Sequence, residues 1–454
     1  MVQCICIKGT VSVKSKRNGE CDMNAVRREL LPGVALTCVK TDKFKAGCMS
    51  INLLTQLCRE NAARNAILPM VLRRGCTRLP DMESISAELD MLYGASVEPL
   101  IRKIGEIQSI GFYADFADDK FLPKGESVLE GVVNLMCELL LTPKTRGALF
   151  LPDYVDSERA NLLDIIRGRI NDKRGYSLHR LRELMCYGED YAVGAYGCED
   201  EAENIGYQKL TKYYHDLLAT SPVEIFYCGS AEPAKVEKLL KNALLNLPRG
   251  EINYDIGTDI RMNTMEDEAR VFTEELDVTQ GKLAIGWRLG DCMEDPDPAA
   301  IRVFNAVYGG SVTSKLFENV REKLSLCYFA NSVVDVNKGV MLVSSGIEFD
   351  KYDEAKDEIF RLLEAVQNGD ISDNELAYAK RYVASSLRTV SDSPSALESF
   401  YLPQILGGWD WSPEELAALC EEITKEQVVE VSRGLACDAI YFLRGTQTEE
   451  VAAE

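Results

Sequence analysis

The sequence predicts an α/β protein of two similar tandem domains that face each other across an enclosed chamber. A chain of 454 residues is too long for one ordinary domain. Strand-like and helix-like segments follow one another in the same order in both halves. The spacing from Gly75 to Tyr93 in the first half equals the spacing from Gly310 to Tyr328 in the second. This match indicates an internal duplication, and two similar facing domains leave a space between them.

Apolar periodicity predicts the elements of the first half. Alternating apolar residues and short buried runs are typical of strands, whereas apolar residues three and four apart are typical of an amphipathic helix. The first two strands are expected to form a hairpin through Asp42, Lys43 and Gly47. The predicted strands are 34–39, 48–54, 109–116 and 223–228, and the predicted helices are 63–72, 85–92, 128–140, 156–169 and 178–185.

The second half repeats this succession after a linker in which Pro248 and Gly250 interrupt both periods. We therefore assign residues 1–235 to an N-terminal domain, 236–268 to the linker and 269–454 to a C-terminal domain. The predicted strands are 283–287 and 340–349, and the predicted helices are 299–307, 316–320 and 359–366, the last closed by Gly369.

Charge and composition exclude several classes of partner. The chain carries 51 Lys and Arg against 72 Asp and Glu, a net charge of −21, which disfavours binding to nucleic acid. No apolar run approaches the roughly 18 residues that a membrane helix needs, and the N-terminus lacks an apolar signal core. The 15 cysteines form no CxxC pair, and most lie in apolar runs. This pattern favours a reducing, cytoplasmic location without nucleic-acid or membrane partners.

The chain has few histidines, which limits the zinc-binding motifs that it can contain. Only His179 and His215 are present, and they lie far apart along the chain, so no HExxH or HxxEH motif exists. Both lie in helix-like contexts without a neighbouring ligand, which is more typical of surface or core-edge side chains.

Two segments of the second half resemble a known family. The runs GGSVTSKLF (309–317) and VREKLSLCY (320–328) are similar to the C-terminal half of insulinase/pitrilysin-type (inverzincin) metallopeptidases, which include the mitochondrial processing peptidase. The bacterial subfamily associated with 5-aminopentanol modification of elongation factor P is the nearest in pattern. The resemblance extends over about 31–435 and implies an α+β fold with two tandem homologous domains, each a mostly antiparallel sheet packed with helices.

The resemblance also locates what the chain lacks. Arg73-Arg74-Gly75-Cys76 resembles the turn after the HxxEH helix, which aligns that motif with residues 66–70. The two histidine ligands then correspond to Ala66 and Met70, and the glutamate that activates water corresponds to Pro69. The third ligand aligns with Asp164 or Ile165. Because catalytic zinc needs three protein ligands, no zinc or other cofactor is expected in this chain.

A substrate-holding segment is retained. Family members carry an Arg and a Tyr seven positions apart that hold the substrate near its scissile carbonyl, and Arg321 and Tyr328 match that spacing. The adjacent Gly309, Gly310 and Ser311 offer main-chain N–H groups to an extended peptide. The structural alternatives are an ion pair of Arg321 with Glu318 or Glu322, a packed Tyr328, and a helix start capped by Ser311 or Thr313.

These observations leave two hypotheses for function. The first is a substrate-binding subunit that is inactive alone and pairs with an HxxEH-bearing paralogous subunit, which would hold the zinc while both chains hold the peptide. The alternative is a non-hydrolytic scaffold or peptide-binding protein that assists a modification pathway such as that of elongation factor P. The hypothesis of a metallopeptidase that is active as a single chain is remote, because the histidines that would bind zinc are missing.

Overall fold

The computed structural model describes residues 25–323 and 327–446 of the chain. Thirteen strands and fourteen α-helices lie in those residues, joined by short 3₁₀ and π-helical segments. The strands are β1 Ala25–Leu31, β2 Val34–Lys40, β3 Ala46–Gln56, β4 Ser96–Ile104, β5 Ile107–Ala117, β6 Thr145–Arg146, β7 Leu149–Phe150, β8 Val223–Gly229, β9 Arg270–Leu276, β10 Gly281–Arg288, β11 Cys327–Asp335, β12 Val340–Ile347 and β13 Ala436–Gly445.

The helices lie between these strands in both halves, and several of them follow one another before β8 and before β13. They are α1 Arg59–Leu72, α2 Met82–Met91, α3 Val128–Leu141, α4 Pro152–Gly168, α5 Lys173–Met185, α6 Glu199–Glu203, α7 Tyr207–Thr220, α8 Pro233–Ala243, α9 Pro298–Asn305, α10 Tyr352–Gln367, α11 Asp373–Val390, α12 Pro394–Leu406, α13 Pro413–Glu422 and α14 Lys425–Arg433.

The two large sheets have the same strand order. The first runs β1-β2-β8-β3-β5-β4, and the second runs β9-β13-β10-β12-β11. In each sheet one pair is parallel, β2 with β8 and β9 with β13, and all the other pairs are antiparallel. Apart from β1, each strand of the first sheet has a counterpart at the same place in the second. The predicted duplication and the mostly antiparallel sheets are confirmed.

One helix from each half packs against the sheet of the other half. Leu181 and Met185 of α5 pack with Ala284 and Tyr441 on the second sheet. In return, α12 places Leu397 and Tyr401 against Val39, Cys48, Phe226 and Cys228 of the first sheet. At both contacts the two halves bury apolar side chains against each other, so these faces of the sheets are filled and do not line a chamber.

The segment between the halves begins with an ordered helix. Val236 and Leu240 of α8 are buried in the core of the first half, as are Leu244 and Leu247 just after it. The chain then runs without regular structure to Arg270, where β9 begins. The division into 1–235, 236–268 and 269–454 stays a prediction, and α8 lies on the first-domain side of the core contacts. Among the described residues, no helix has the length and hydropathy needed to cross a bilayer.

Candidate functional site

The helix that aligns with the zinc motif is buried and carries no ligand. α1 begins at Arg59 and continues past Pro69 to Leu72. Ala66 is 0% exposed, Pro69 is buried and Met70 is partly exposed. The correspondence of these three positions with the HxxEH motif stays a prediction, and the side chains present there are a methyl group, a pyrrolidine ring and a thioether. No cluster of three or more His, Cys, Asp or Glu side chains suited to a metal occurs in the described part of the chain.

The facing helix supplies no third ligand. Asp164 and Ile165 of α4 are both exposed, and Ile165 is 39% exposed. Earlier on the same helix, Glu158 pairs with Arg74, which also donates from Nη2 to Ser157 Oγ at 2.6 Å. Glu158 accepts a further hydrogen bond from Asn161 at 3.0 Å. Both oxygens of the buried Glu158 carboxylate therefore accept hydrogen bonds, one from Arg74 and one from Asn161, in a structural ion pair.

Polar side chains beside α1 bond to one another rather than to a metal. Asn65 is fully buried and donates to Thr55 Oγ1 at 3.0 Å and to Gln108 Oε1 at 2.8 Å, while Tyr213 donates to its Oδ1 at 2.7 Å. Gln108 in turn donates to the carbonyls of Ala62 and Ala195. Because both side-chain amides of this network have partners, the network stabilises the helix without offering a free ligand.

A loop of residues 189–198 covers this region. Gly197 has φ +71°, and a Cβ built on it would lie 2.5 Å from the main-chain N of Ala63 in α1. Only glycine permits this approach in the left-handed conformation. From β4, Lys103 donates to the carbonyls of Tyr191 and Val193, the latter at 2.9 Å, and its Nζ lies 3.9 Å from the centre of the Tyr191 ring. The loop is thus fixed to the edge strand of the first sheet.

Lys103 is expected to make stability depend on pH. Burial, reinforced by the charge of Arg182, lowers the pKa of Lys103 to about 7, whereas an unfolded lysine has a pKa of about 10.4. Between these values the unfolded chain binds the extra proton, so the contribution of Lys103 to stability rises with pH across this range. In Lys103→Met that contribution disappears. Urea unfolding at pH 7, 8.5 and 10 should show the free energy of wild type increasing relative to the variant, and parallel pH profiles would contradict this.

The segment that carries Gly309 and Gly310 is a π-helix. α9 ends at Asn305, and the π-helical residues Ala306–Gly310 follow it. A Cβ on Gly309 would lie 2.6 Å from Ser332 Oγ, and one on Gly310 would lie 3.0 Å from the Asn305 carbonyl oxygen. Gly309 is buried, whereas Gly310 is partly exposed. Close packing therefore explains both glycines, and π-helical insertions recur at functional sites.

Ser311 closes this segment and is buried. Its hydroxyl donates to the carbonyl of Ala306 at 2.9 Å and accepts from the N–H of Thr313 at 3.3 Å. The helix that follows is π-helical, Leu316–Lys323, and Ser314 caps its first turn by accepting from the N–H of Phe317 at 3.3 Å. A helix thus starts at this point, as the structural alternative states. Its first turn is capped by Ser314 rather than by Ser311 or Thr313.

Arg321 is accessible on the same π-helix. Its side chain is 43% exposed, its guanidinium carbon lies 4.7 Å from the centre of the Phe317 ring, and its Nε lies 3.4 Å from Glu322 Oε1. The contact with Glu322 is the ion pair that the sequence alternative anticipates, and exposed pairs of this kind contribute little energy. The main chain of Tyr328 belongs to β11, where the register shifts between Cys327 and Phe329. The Tyr328 side chain lies outside the described part of the structure.

A buried ionic cluster joins the two halves, and the sequence analysis missed it. Lys338 Nζ lies 2.6 Å from Glu106 Oε1 and 2.7 Å from Glu189 Oε2. Arg288 contacts Glu189 Oε1 at 2.6 Å and Asp438 Oδ2 at 2.8 Å. Burial raises the pKa of the Glu189 carboxyl, but hydrogen bonds and charge from Arg288 and Lys338 outweigh it and hold that pKa below its usual value. The cluster is structural because its charges satisfy one another.

The chain is similar to proteins of known sequence and of known structure. The family model for the "Peptidase M16 inactive domain" matches residues 204–383. The probable inactive metalloprotease YmfF of Bacillus subtilis (strain 168) is 32% identical over 419 residues, which cover 91% of this chain and 96% of that protein. A conserved protein from Enterococcus faecalis V583 superposes with a TM-score of 0.84 at 26% identity, covering 94% of this chain and 100% of the other.

A protease from Helicobacter pylori shares the fold, with a TM-score of 0.77 at 17% identity over 93% of this chain and 100% of its own. The predicted resemblance to insulinase-type peptidases is confirmed by the family match and by the relative from Bacillus subtilis. The chain therefore belongs to the M16, or insulinase-like, peptidase family as an inactive metalloprotease homologue.

Proposed function

We propose that this chain is the substrate-binding subunit of a heterodimeric peptidase, paired with an HxxEH-bearing paralogous subunit that holds the zinc. The observation that carries the proposal is the asymmetry between the two halves. In the first half, the zinc positions are apolar and Ala66 is fully buried. In the second half, Arg321 remains exposed on a π-helix beside the outermost strand of the sheet. Drift after a complete loss of function would not favour keeping one half of a site.

The proposed roles follow from the chemistry of the side chains. The guanidinium of Arg321 has several N–H donors that can bond to the carbonyls of an extended peptide. Its present partner, Glu322, is an exposed neighbour at 3.4 Å, so exchanging it for a substrate costs little. A phenol at Tyr328 would donate a hydrogen bond to the oxyanion that forms at the scissile carbonyl. Gly310, the partly exposed glycine, is proposed to contact the peptide main chain.

Reconstitution tests this function. The chain is mixed with an HxxEH-bearing family member of similar length from the same organism, and hydrolysis of a quenched fluorogenic peptide mixture is measured. We expect a 1:1 complex by light scattering, turnover by the complex, and none by either chain alone. Chelating the zinc or replacing the partner's HxxEH glutamate with glutamine should abolish turnover. Full turnover by the partner alone, without association, would refute the proposal.

A second candidate function is a non-hydrolytic scaffold or peptide-binding protein in a modification pathway such as that of elongation factor P. The burial of Gly309 and Ser311 favours it, because their main-chain groups would not reach a peptide at the surface. Under this alternative, a labelled peptide or the pathway's protein substrate binds the isolated chain equally well with and without zinc and partner. The same reconstitution separates the candidates, because the scaffold adds no turnover.

A further inference from the structure

Two cations, one from the sheet and one from α5, lie close together at a partly exposed corner of the second sheet. α5 lies over β10 and β13, and its first turn lies beside the outermost strand β11. Lys282 of β10, Gly346 of β12 and Phe329 of β11 stand in one row across the three strands. A Cβ on Gly346 would lie 2.5 Å from Phe329 Cε1. The missing side chain therefore lets the Phe329 ring pack directly against Gly346.

Arg174 completes this group from the other half of the chain. It lies in the first turn of α5, is exposed, and its guanidinium carbon is 4.3 Å from the centre of the Phe329 ring. The Nζ of Lys282 is 5.8 Å from the same point. The two positive charges thus flank one aromatic ring, within reach of a single ligand.

Both cations have neutral partners. Arg174 donates from Nη2 to Asn331 Oδ1 at 2.6 Å, and Lys282 donates to Gln280 Oε1 at 2.5 Å. No carboxylate of the described residues forms an ion pair with either cation, although the chain has 72 acidic residues. Burial and the neighbouring charge of Arg174 lower the pKa of Lys282. An anion placed between the two cations would relieve this repulsion.

The cations adjoin the segment to which we assign substrate binding. Arg321 lies six residues before the start of β11. Burial raises the pKa of the Cys327 thiol, and the positive charge of Arg321 opposes that rise, so the guanidinium acts on the first residue of the strand. An extended peptide beside β11 would direct alternate side chains towards Phe329 and the two cations. The anion that such a ligand provides is a carboxylate.

We propose that Arg174 and Lys282 form a carboxylate-binding subsite for an acidic peptide. This inference rests on the proposed function for the location of the peptide and adds a preference to it. The carboxylate accepts hydrogen bonds from the guanidinium of Arg174 and the ammonium of Lys282, and the Phe329 ring lies within about 6 Å of both cations. The carboxylate belongs either to an aspartate or glutamate side chain or to the C-terminus of the peptide.

The subsite is tested on the isolated chain by fluorescence anisotropy at low salt. Three labelled peptides share one extended sequence of serine, threonine and valine. The first has a central glutamate and the second a central glutamine, both with an amidated C-terminus. The third has a central glutamine and a free C-terminal carboxylate. We expect one of the two acidic peptides to bind about tenfold more tightly than the neutral, amidated one. Which of them does so identifies the source of the carboxylate.

The variant R174Q/K282Q should remove this preference and leave the neutral peptide's affinity unchanged. The control K351Q/R361Q removes the same charge from exposed ion pairs on and before α10, and should keep the preference. If R174Q/K282Q unfolds, R174Q alone should weaken the preference at least threefold. The proposal would be overturned if all three peptides bound wild type equally, or if the control variant lost the preference to the same degree. It would also be overturned if inorganic phosphate competed with the acidic peptide at concentrations far below those at which acetate competes.

The test does not depend on the partner subunit. Carboxylate preference together with failed reconstitution would remove the heterodimer and keep the subsite. Reconstituted turnover without carboxylate preference would remove the subsite and keep the heterodimer.

Discussion

Replacing Lys338 with methionine is expected to lower the free energy of unfolding by about 3–5 kcal/mol, the usual cost of removing one partner from a buried ionic group. The Lys338 side chain is 0% exposed, and its Nζ contacts both Glu106 and Glu189 as well as the carbonyl of Asp259. Without the ammonium, Glu106 keeps no ion-pair partner among the described residues, while Glu189 keeps Arg288. Urea unfolding followed by circular dichroism measures the loss.

The matched control is Lys351→Met. Lys351 is partly exposed and contacts Glu354 one helical turn away. Its replacement should change the free energy of unfolding by less than about 0.5 kcal/mol. The double variant Lys338→Met/Glu106→Gln should recover part of the loss, because it removes the uncompensated carboxylate. A loss below about 1 kcal/mol for Lys338→Met alone would mean that the cluster does not stabilise the fold.

The same cluster explains why the two halves stay packed against each other. Glu106 and Glu189 come from the first half, Lys338, Arg288 and Asp438 come from the second, and all five are buried. Charges can be buried in this way only when they are paired at close range. Separating the halves would expose or unpair these charges, so the cluster favours the closely packed arrangement of α5 and α12. In the proposed complex, we therefore expect the peptide to lie between two chains.

Strong periodicity made much of the fold predictable. Strands predicted at 34–39 and 48–54 are observed as β2 and β3, and the helix predicted at 128–140 is α3. The predicted hairpin of β2 and β3 is wrong, because β8 pairs with both strands and lies between them. These elements bury nearly continuous or regularly spaced apolar residues. The edge strands β4 and β9 escape prediction because charged residues, and Pro99 in β4, break their apolar pattern. The helices around Gly309 are predictable, but their π-helical form depends on packing against β11.

The site was predictable only in part. The replacement of ligands at Ala66, Pro69 and Met70 follows from a resemblance and is compatible with a buried, continuous α1. The buried cluster has no sequence signal. Lys338 stands before Gly339 in a short turn, a context typical of an exposed lysine, and both carboxylates that it contacts belong to the other half of the chain. The exchange of α5 and α12, which brings the halves together, is a tertiary feature that local periodicity does not encode.

In the reconstituted complex, Tyr328→Phe is expected to lower kcat about 100-fold with little change in KM. The phenol would act only on the developing oxyanion, and removing one such donor typically costs that much in rate. Arg321→Ala is expected to raise KM about tenfold, since its guanidinium would hold the peptide in both the ground and the transition state. Initial rates across a range of peptide concentrations separate the two effects.

The control for both variants is Arg361→Ala, an exposed arginine of α10 paired with Glu358. It should leave kcat and KM unchanged, and all three variants should bind the zinc-bearing partner with equal affinity. If Tyr328→Phe and Arg321→Ala turn over like wild type within an intact complex, this chain adds no group to the reaction. The retained spacing of Arg321 and Tyr328 would then have a structural origin, in the π-helix that precedes β11 and in the register shift at the start of this edge strand.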